Sequence, residues 1–92
     1  MNNKVALSSL AMDLKRVALG YWRGGDVMAQ RFAKEALSRS EEINLRQEKP
    51  YVRRLLKNLN AVLSQKDRKN LAEDALMYSI LFQNAALQNT FS

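Results

Sequence analysis

The strongest constraint on how this 92-residue chain can fold is the scarcity of residues that interrupt a helix. The only strong breaks are a glycine pair followed by aspartate at residues 24–26, a lone proline at position 50, and a polar stretch at residues 64–70. Glycine commonly ends a helix, whereas aspartate, serine or proline commonly begins the next one. The three breaks therefore predict four helices, at residues 4–22, 27–47, 51–64 and 67–89.

The apolar residues between these breaks favour a purely helical fold. They recur at three- and four-residue spacing, and no segment shows the two-residue alternation of a half-buried strand. A chain of this length suits one domain with one core. Because the predicted connections are short, consecutive helices are expected to be antiparallel neighbours. The sequence thus predicts an all-α, single-domain four-helix bundle, most simply with antiparallel up-down-up-down topology.

Two of the predicted helices are ordinary amphipathic helices. The third has one apolar sector opposite its basic residues, formed by Val52, Leu55, Leu56, Leu59, Val62 and Leu63. The second has a narrower stripe of mostly small residues, formed by Ala29, Phe32, Ala33, Ala36, Ser40 and Ile43. Such a small-residue stripe predicts that a neighbouring helix approaches closely.

The first and fourth predicted helices are apolar on two sides. Besides a core stripe, each carries a second apolar set, which is spaced by seven residues in the first helix. The outer side of every helix in a small bundle faces solvent, so a second apolar side requires either a central position in an irregular bundle or a partner. We interpret the second sets as a homodimer interface, since the dimer is the commonest closed oligomer. The predicted interface comprises Val5, Met12, Leu19, Leu76, Met77, Ile80 and Leu87.

The net charge of +6 is concentrated in the middle of the chain. Residues 46–69 hold eight basic and two acidic side chains, whereas residues 75–92 hold no charged side chain. A basic surplus raises an anionic partner as a candidate, either nucleic acid, an acidic protein or a membrane surface, although a solvated face that keeps the protein soluble is the more frequent explanation. The predicted anionic-partner surface comprises Arg53, Arg54, Lys57, Lys66, Arg68 and Lys69.

The chain lacks histidine and cysteine, which excludes several kinds of catalytic and metal site. Ser-His-Asp and Cys-His catalysis, and zinc sites with cysteine or histidine ligands, all require these residues. The glycine pair is not part of a phosphate-binding loop motif. Four isolated acidic residues are interpreted as surface or capping residues, namely Asp13, Asp26, Glu35 and Asp67. We therefore expect no enzyme activity, no catalytic, cofactor-binding or metal-binding residues, and no small-molecule substrate.

The apolar segments near the two ends are too short for targeting or membrane insertion. Residues 5–12 are shorter and more interrupted than a secretory signal, and residues 75–87 fall short of the ~20 residues that cross a bilayer. We therefore expect a cytoplasmic protein without a membrane span. The predicted function is that of a non-catalytic interaction protein that self-associates through helices one and four and presents a basic surface. The alternative is a small nucleic-acid-binding protein that uses residues 46–69.

Overall fold

The computed structural model describes residues 3–88 and confirms the all-α class. The described part of the chain forms four α-helices and no strand, with one 3₁₀ helix, Leu45–Gln47, between the second and third α-helices. The α-helices are α1 (Lys4–Trp22), α2 (Asp26–Ser40), α3 (Pro50–Leu63) and α4 (Arg68–Gln88).

The helices form an antiparallel up-down-up-down bundle built around α1 and α4. The N-terminal half of α1 packs against the C-terminal half of α4, and its C-terminal half packs against the start of α4. Tyr51 near the start of α3 donates a hydrogen bond through Oη to Oε1 of Gln88 at the end of α4, over 3.1 Å. The bundle measures 39 × 19 × 18 Å, so its helices lie along the long axis.

Small side chains form the seam between α1 and α4. Both helices bury them in the core, at Ala11, Ala18, Ala72, Ala75, Ser79, Ala85 and Ala86. The predicted small-residue stripe of α2 also faces inward, with Ala29 and Ala36 completely buried. Since small residues let helix axes approach closely, three of the four helices pack tightly, and the larger leucines of α3 fill the remaining side of the core.

The second helix is shorter than predicted, because it ends at Ser40 rather than at Gln47. The chain turns after Ser40 and inserts Ile43 into the core, where the side chain is only 5% exposed. Asn44 then caps the 3₁₀ helix, since its Oδ1 accepts a hydrogen bond from the Arg46 amide over 3.0 Å. Residues 26–49 contain no glycine or proline, so this helix end has no strong sequence signal.

The other described helix ends lie within one residue of their predicted positions. The limits of α1 coincide with the prediction, whereas α2 and α3 each begin one residue earlier than predicted. α4 begins at Arg68 after Asp67, whose Oδ1 accepts a hydrogen bond from the Asn70 amide over 3.1 Å, as expected of a capping residue. The predicted last helical residue, Asn89, lies outside the described residues.

A buried polar cluster joins the beginning of the chain to the connection between α2 and α3. The Asn3 side chain donates to the carbonyl oxygen of Asn44 and to Oε2 of Glu48, both over 2.8 Å, and accepts from the Asn44 amide over 3.0 Å. Asn3 and Glu48 are both buried. These hydrogen bonds compensate the loss of hydration and hold the irregular segment against α1.

Two of the four acidic residues interpreted as surface or capping residues differ from that interpretation: Asp13 is not at the surface, and Asp26, which is partly exposed, does not cap its helix. Asp13 is buried, and its Oδ2 accepts from Nε of Arg39 on α2 over 3.0 Å. That hydrogen bond and the aspartate charge raise the pKa of Arg39 above its ordinary value, so the stability that the charged guanidinium contributes is lost as the pH rises through the raised pKa. Asp26 does not cap α2, because its carboxylate pairs with Arg68 at the start of α4 over 2.8 Å.

Replacing Asp13 with alanine should lower the free energy of unfolding by about 1–2 kcal/mol, because Arg39 loses its buried acceptor but remains within reach of water. Thermal unfolding followed by far-UV circular dichroism measures this loss. The control is Glu35→Ala, which removes an exposed pair with Arg31 at 3.9 Å and should change the free energy of unfolding by less than about 0.5 kcal/mol. Equal losses in the two variants would contradict the assigned role of Asp13.

Candidate interaction surfaces

The exposed large hydrophobic side chains in residues 3–88 fall into two groups and one isolated leucine. They are Val5, Met12, Trp22, Val27, Met28, Leu45, Met77, Ile80 and Leu87. Five of them lie along α1 and α4, and three lie on either side of the turn between α1 and α2. Leu45 stands alone in the 3₁₀ helix. Scattered exposed hydrophobic residues are normal, but grouped ones indicate a contact surface.

The first group belongs to the predicted dimer interface, which we call the α1/α4 strip and define by the same seven residues: Val5, Met12, Leu19, Leu76, Met77, Ile80 and Leu87. Val5 is 77% exposed and Ile80 is 54% exposed, whereas Leu19 and Leu76 are half-buried. The core stripes of α1 and α4 face each other, so the second apolar sets point outward. The structure therefore places five of the seven predicted side chains in solvent.

A shallow groove of about 480 Å³ runs between α1 and α4 in the middle of the strip. Met12 and Ile80 line it, together with the small residues Ala11 and Ser79 from the seam between the helices. The remaining lining residues are Lys15, Leu76, Gln83 and Asn84, so Lys15 carries the single charge of this lining. The groove thus offers an apolar surface with a few neutral hydrogen-bonding groups beside it.

The antiparallel pairing of α1 and α4 sets the order of residues along the strip. Val5 and Leu87 lie toward the end of the bundle that holds the first residues of α1. Met12 and Ile80 lie together at the groove, and Leu19 and Leu76 lie toward the opposite end. Residues far apart in the sequence thus lie along the same two helices, and Met12, Leu76 and Ile80 meet at the groove.

The predicted anionic-partner surface is divided between two places on the bundle. Arg53, Arg54 and Lys57 lie on α3, where the Arg53 guanidinium donates to the Glu48 carbonyl oxygen over 3.1 Å. The other three residues lie at the connection between α3 and α4, where Arg68 pairs with Asp26. At a helix rise of 1.5 Å per residue, Lys57 and Arg53 lie about 9 Å and about 15 Å along α3 from its last residue, Leu63. The six residues therefore fall into two groups along the chain.

The second group of exposed hydrophobic residues was not identified from the sequence. Val27 is 83% exposed, Met28 and Trp22 are about half exposed, and all three lie beside the glycine turn. The available signal was the position of Val27 and Met28 in the first turn of α2, off the small-residue stripe of that helix. A neighbouring groove of about 360 Å³ between α1 and α2 is apolar apart from two arginines, and is lined by Arg16, Leu19, Gly20, Arg23, Gly25, Met28 and Phe32.

The described acidic residues do not converge on a common point. Residues 3–88 contain no group of three or more acidic side chains arranged to hold a metal ion. Within the same residues, none of the helices combines the length and the apolar composition that crossing a bilayer requires. The features that remain for a functional argument are the α1/α4 strip, the basic side chains and the hydrophobic residues at the glycine turn.

Three comparisons with known proteins give no match. No protein-family model matches the sequence, and neither the curated proteins nor the solved structures give a significant match. A functional proposal for this chain therefore rests on its own surfaces.

Proposed function

We propose that this chain is a non-catalytic interaction module that self-associates through the α1/α4 strip. The observation that carries the proposal is the group of exposed apolar side chains on α1 and α4, of which Met12 and Ile80 meet at the groove between the two helices. Removing apolar surface from water stabilises an association by about 25 cal/mol per Å² buried. A surface of this kind therefore favours a bound state over exposure to solvent.

The distribution of charge supports a second copy of the chain as the partner. The chain carries a net charge of +6, yet residues 75–92 carry no charge and Lys15 is the one charged residue lining the groove. A second copy presents the same uncharged surface, so docking buries apolar side chains without bringing the basic residues of α3 together. The amides of Gln83 and Asn84 can form hydrogen bonds at the rim of such an interface.

The size of the strip predicts a reversible dimer. From Val5 to Leu19 it extends over about 20 Å of α1, and two adjacent helices are about 20 Å wide, which gives a flat footprint of roughly 400 Å². Standard stable interfaces bury about 800 Å² on each partner. The surface roughness of side chains raises the buried area above the flat footprint, but the interface stays at the small end of the range. We therefore expect the dimer population to increase with protein concentration.

The test is a double substitution, Ile80→Glu with Leu87→Glu, followed by analytical ultracentrifugation. The wild-type chain at high micromolar concentration should sediment at about 21 kDa, twice the chain mass of 10.5 kDa. The variant should sediment at the chain mass, because association would bury four carboxylates in an apolar interface. Its far-UV circular dichroism should match that of the wild type, since both side chains are about half exposed.

A matched control carries the same two charges elsewhere. Val27→Glu with Met28→Glu also replaces two exposed apolar residues, but these lie outside the strip. This control should remain dimeric. A wild-type monomer at high micromolar concentration would contradict the proposal, and so would equal dissociation of the test and control variants.

The nucleic-acid-binding alternative through residues 46–69 stays a prediction. Arg54, Lys57, Lys66 and Lys69 are exposed and available to phosphates, whereas Arg68 is engaged with Asp26. The separation of these cations into two groups favours the alternative less than one continuous patch would, because a phosphate backbone is bound by adjacent cations.

A further inference from the structure

One end of the bundle carries both the glycine turn and the connection between α3 and α4. The Asp26 carboxylate and the Arg68 guanidinium, 2.8 Å apart, join the first residues of α2 and α4 there. We define the basic tip as the exposed residues of this end: Trp22, Arg23, Val27, Met28, Lys66 and Lys69. It combines three large apolar side chains with three cations.

The apolar side chains of the basic tip flank the glycine turn, where Val27 and Met28 line a shallow groove of about 500 Å³ together with Asp26 and Arg31. Val27 has the largest exposed fraction of the large hydrophobic residues in the described part of the chain, at 83%. Met28 follows it in the first turn of α2, and Trp22 is the last residue of α1. Gly24 between them has a φ of +77°, a left-handed conformation that glycine adopts without strain, so the turn is short and the three side chains flank it closely.

Cations outnumber acidic groups at this end. Asp26 pairs with Arg68, and Asp67 accepts the Asn70 amide. Asp74, farther along α4, accepts a hydrogen bond from Nε2 of Gln65 over 2.9 Å. The side chains of Arg23, Lys66 and Lys69 are exposed. With Arg68, they outnumber Asp26 and Asp67 by four to two, so the surface of this end has a cationic surplus beside its apolar side chains.

We propose that the basic tip docks on an anionic membrane surface, a role separate from self-association through the strip. Tryptophan favours the interface between lipid headgroups and acyl chains, aliphatic side chains insert beneath it, and lysine and arginine attract anionic headgroups. The side chains that insert into the bilayer are those of Val27, Met28 and Trp22. The three cations of the tip attract the anionic headgroups.

The dimensions of the tip favour a membrane over a protein or a nucleic acid. The end face of the bundle measures 19 × 18 Å, a flat area of about 340 Å², so a protein docked on it would cover even less surface than the α1/α4 strip offers. Insertion into a fluid bilayer needs no complementary partner shape. A nucleic acid would engage the cations and could stack on Trp22, but it would leave the aliphatic Val27 and Met28 without a favourable contact.

Trp22 is the single tryptophan of the chain and reports directly on the tip. The experiment adds vesicles of equal parts phosphatidylcholine and phosphatidylglycerol, or of phosphatidylcholine alone, to the full chain. With the anionic vesicles we expect a blue shift of the Trp22 emission and co-sedimentation of the protein, and both should weaken as salt screens the charges. No shift with the anionic vesicles, or an equal shift with both compositions, would overturn the proposal. So would salt-sensitive binding to a DNA duplex without binding to vesicles.

A pair of charge-reversed variants locates the contact. Arg23→Glu with Lys66→Glu should weaken binding to the anionic vesicles at least about tenfold, because two attractive charges become repulsive. The matched control, Arg54→Glu with Lys57→Glu, changes the net charge equally but lies on α3, away from the tip. It should retain most of the binding. Equal weakening in both variants would overturn the assignment of the contact to the tip.

Discussion

Replacing Phe82 with alanine should lower the free energy of unfolding by about 3–5 kcal/mol. Phe82 is completely buried and is the largest of the fully buried side chains in the described residues. Its ring packs edge-on against Tyr78, with 6.0 Å between ring centroids and an interplanar angle of 77°. Leu7, Leu10 and Leu14 of α1 belong to the same buried cluster, so the cavity left by the ring would be surrounded by side chains from other elements.

Thermal unfolding followed by far-UV circular dichroism measures this effect at one fixed protein concentration. A loss of 3–5 kcal/mol corresponds to a fall of roughly 15–30 °C in Tm for a domain of this size. The variant Glu73→Ala truncates an exposed side chain of the same helix outside the α1/α4 strip and should leave Tm nearly unchanged. If Phe82→Ala cost less than about 1 kcal/mol, the core around it would have to be far looser than the described packing.

The burial of Phe82 illustrates what the sequence predicts well. Leu71, Ala75, Tyr78, Phe82 and Ala85 recur at three- and four-residue spacing, and all five are buried. This spacing is a local property of a helix, so it can be recognised without knowledge of the neighbouring elements. The same reasoning applies to the four helices, because the three connections between them are marked by glycine, proline or polar residues in the sequence itself.

Features that depend on contacts between helices could not be predicted in this way. The position of Ile43 was predicted to be apolar and inward-facing, but the turn that buries it depends on where α3 packs. The partner of Asp13 is 26 residues away on α2, so nothing near Asp13 in the sequence distinguishes it from a surface residue. Both misassignments arise because tertiary contacts outweigh local preference.

The two candidate surfaces differ in the same way in how far the sequence predicts them. The α1/α4 strip was predictable because Val5, Met12 and Leu19 repeat along one helix. The basic tip was not, since it joins Trp22 from α1 with Val27 from α2 and with lysines beyond α3. Only the antiparallel arrangement of the helices brings these residues to the same end of the bundle.

Replacing Gly20 with valine should lower the free energy of unfolding by about 3 kcal/mol, because there is no room for a side chain between α1 and α2 at this point. A Cβ atom at Gly20 would lie 2.9 Å from the Cβ of Ala29, 3.1 Å from its Cα and 3.2 Å from its nitrogen. Two of these three neighbours are backbone atoms, so the contact is relieved only if the helices move apart. Such a movement would weaken the packing of α1 against α2, the two helices that the glycine turn connects.

Two further variants separate this steric effect from the conformational effect of losing a glycine. Gly20→Ala introduces the same close contact but gains about 1 kcal/mol of helix propensity, so its loss should be smaller than that of Gly20→Val. Gly24→Ala meets no atom within 4 Å, and its loss of about 1–2 kcal/mol should come from the left-handed backbone alone. Adding Ala29→Gly should restore part of the stability of Gly20→Ala and none of that of Gly24→Ala, since it removes the closest neighbour of the new methyl group. A Gly20→Val variant that melts at the wild-type temperature would show instead that α1 and α2 can separate freely, and that the small residues between them do not determine how closely the helices pack.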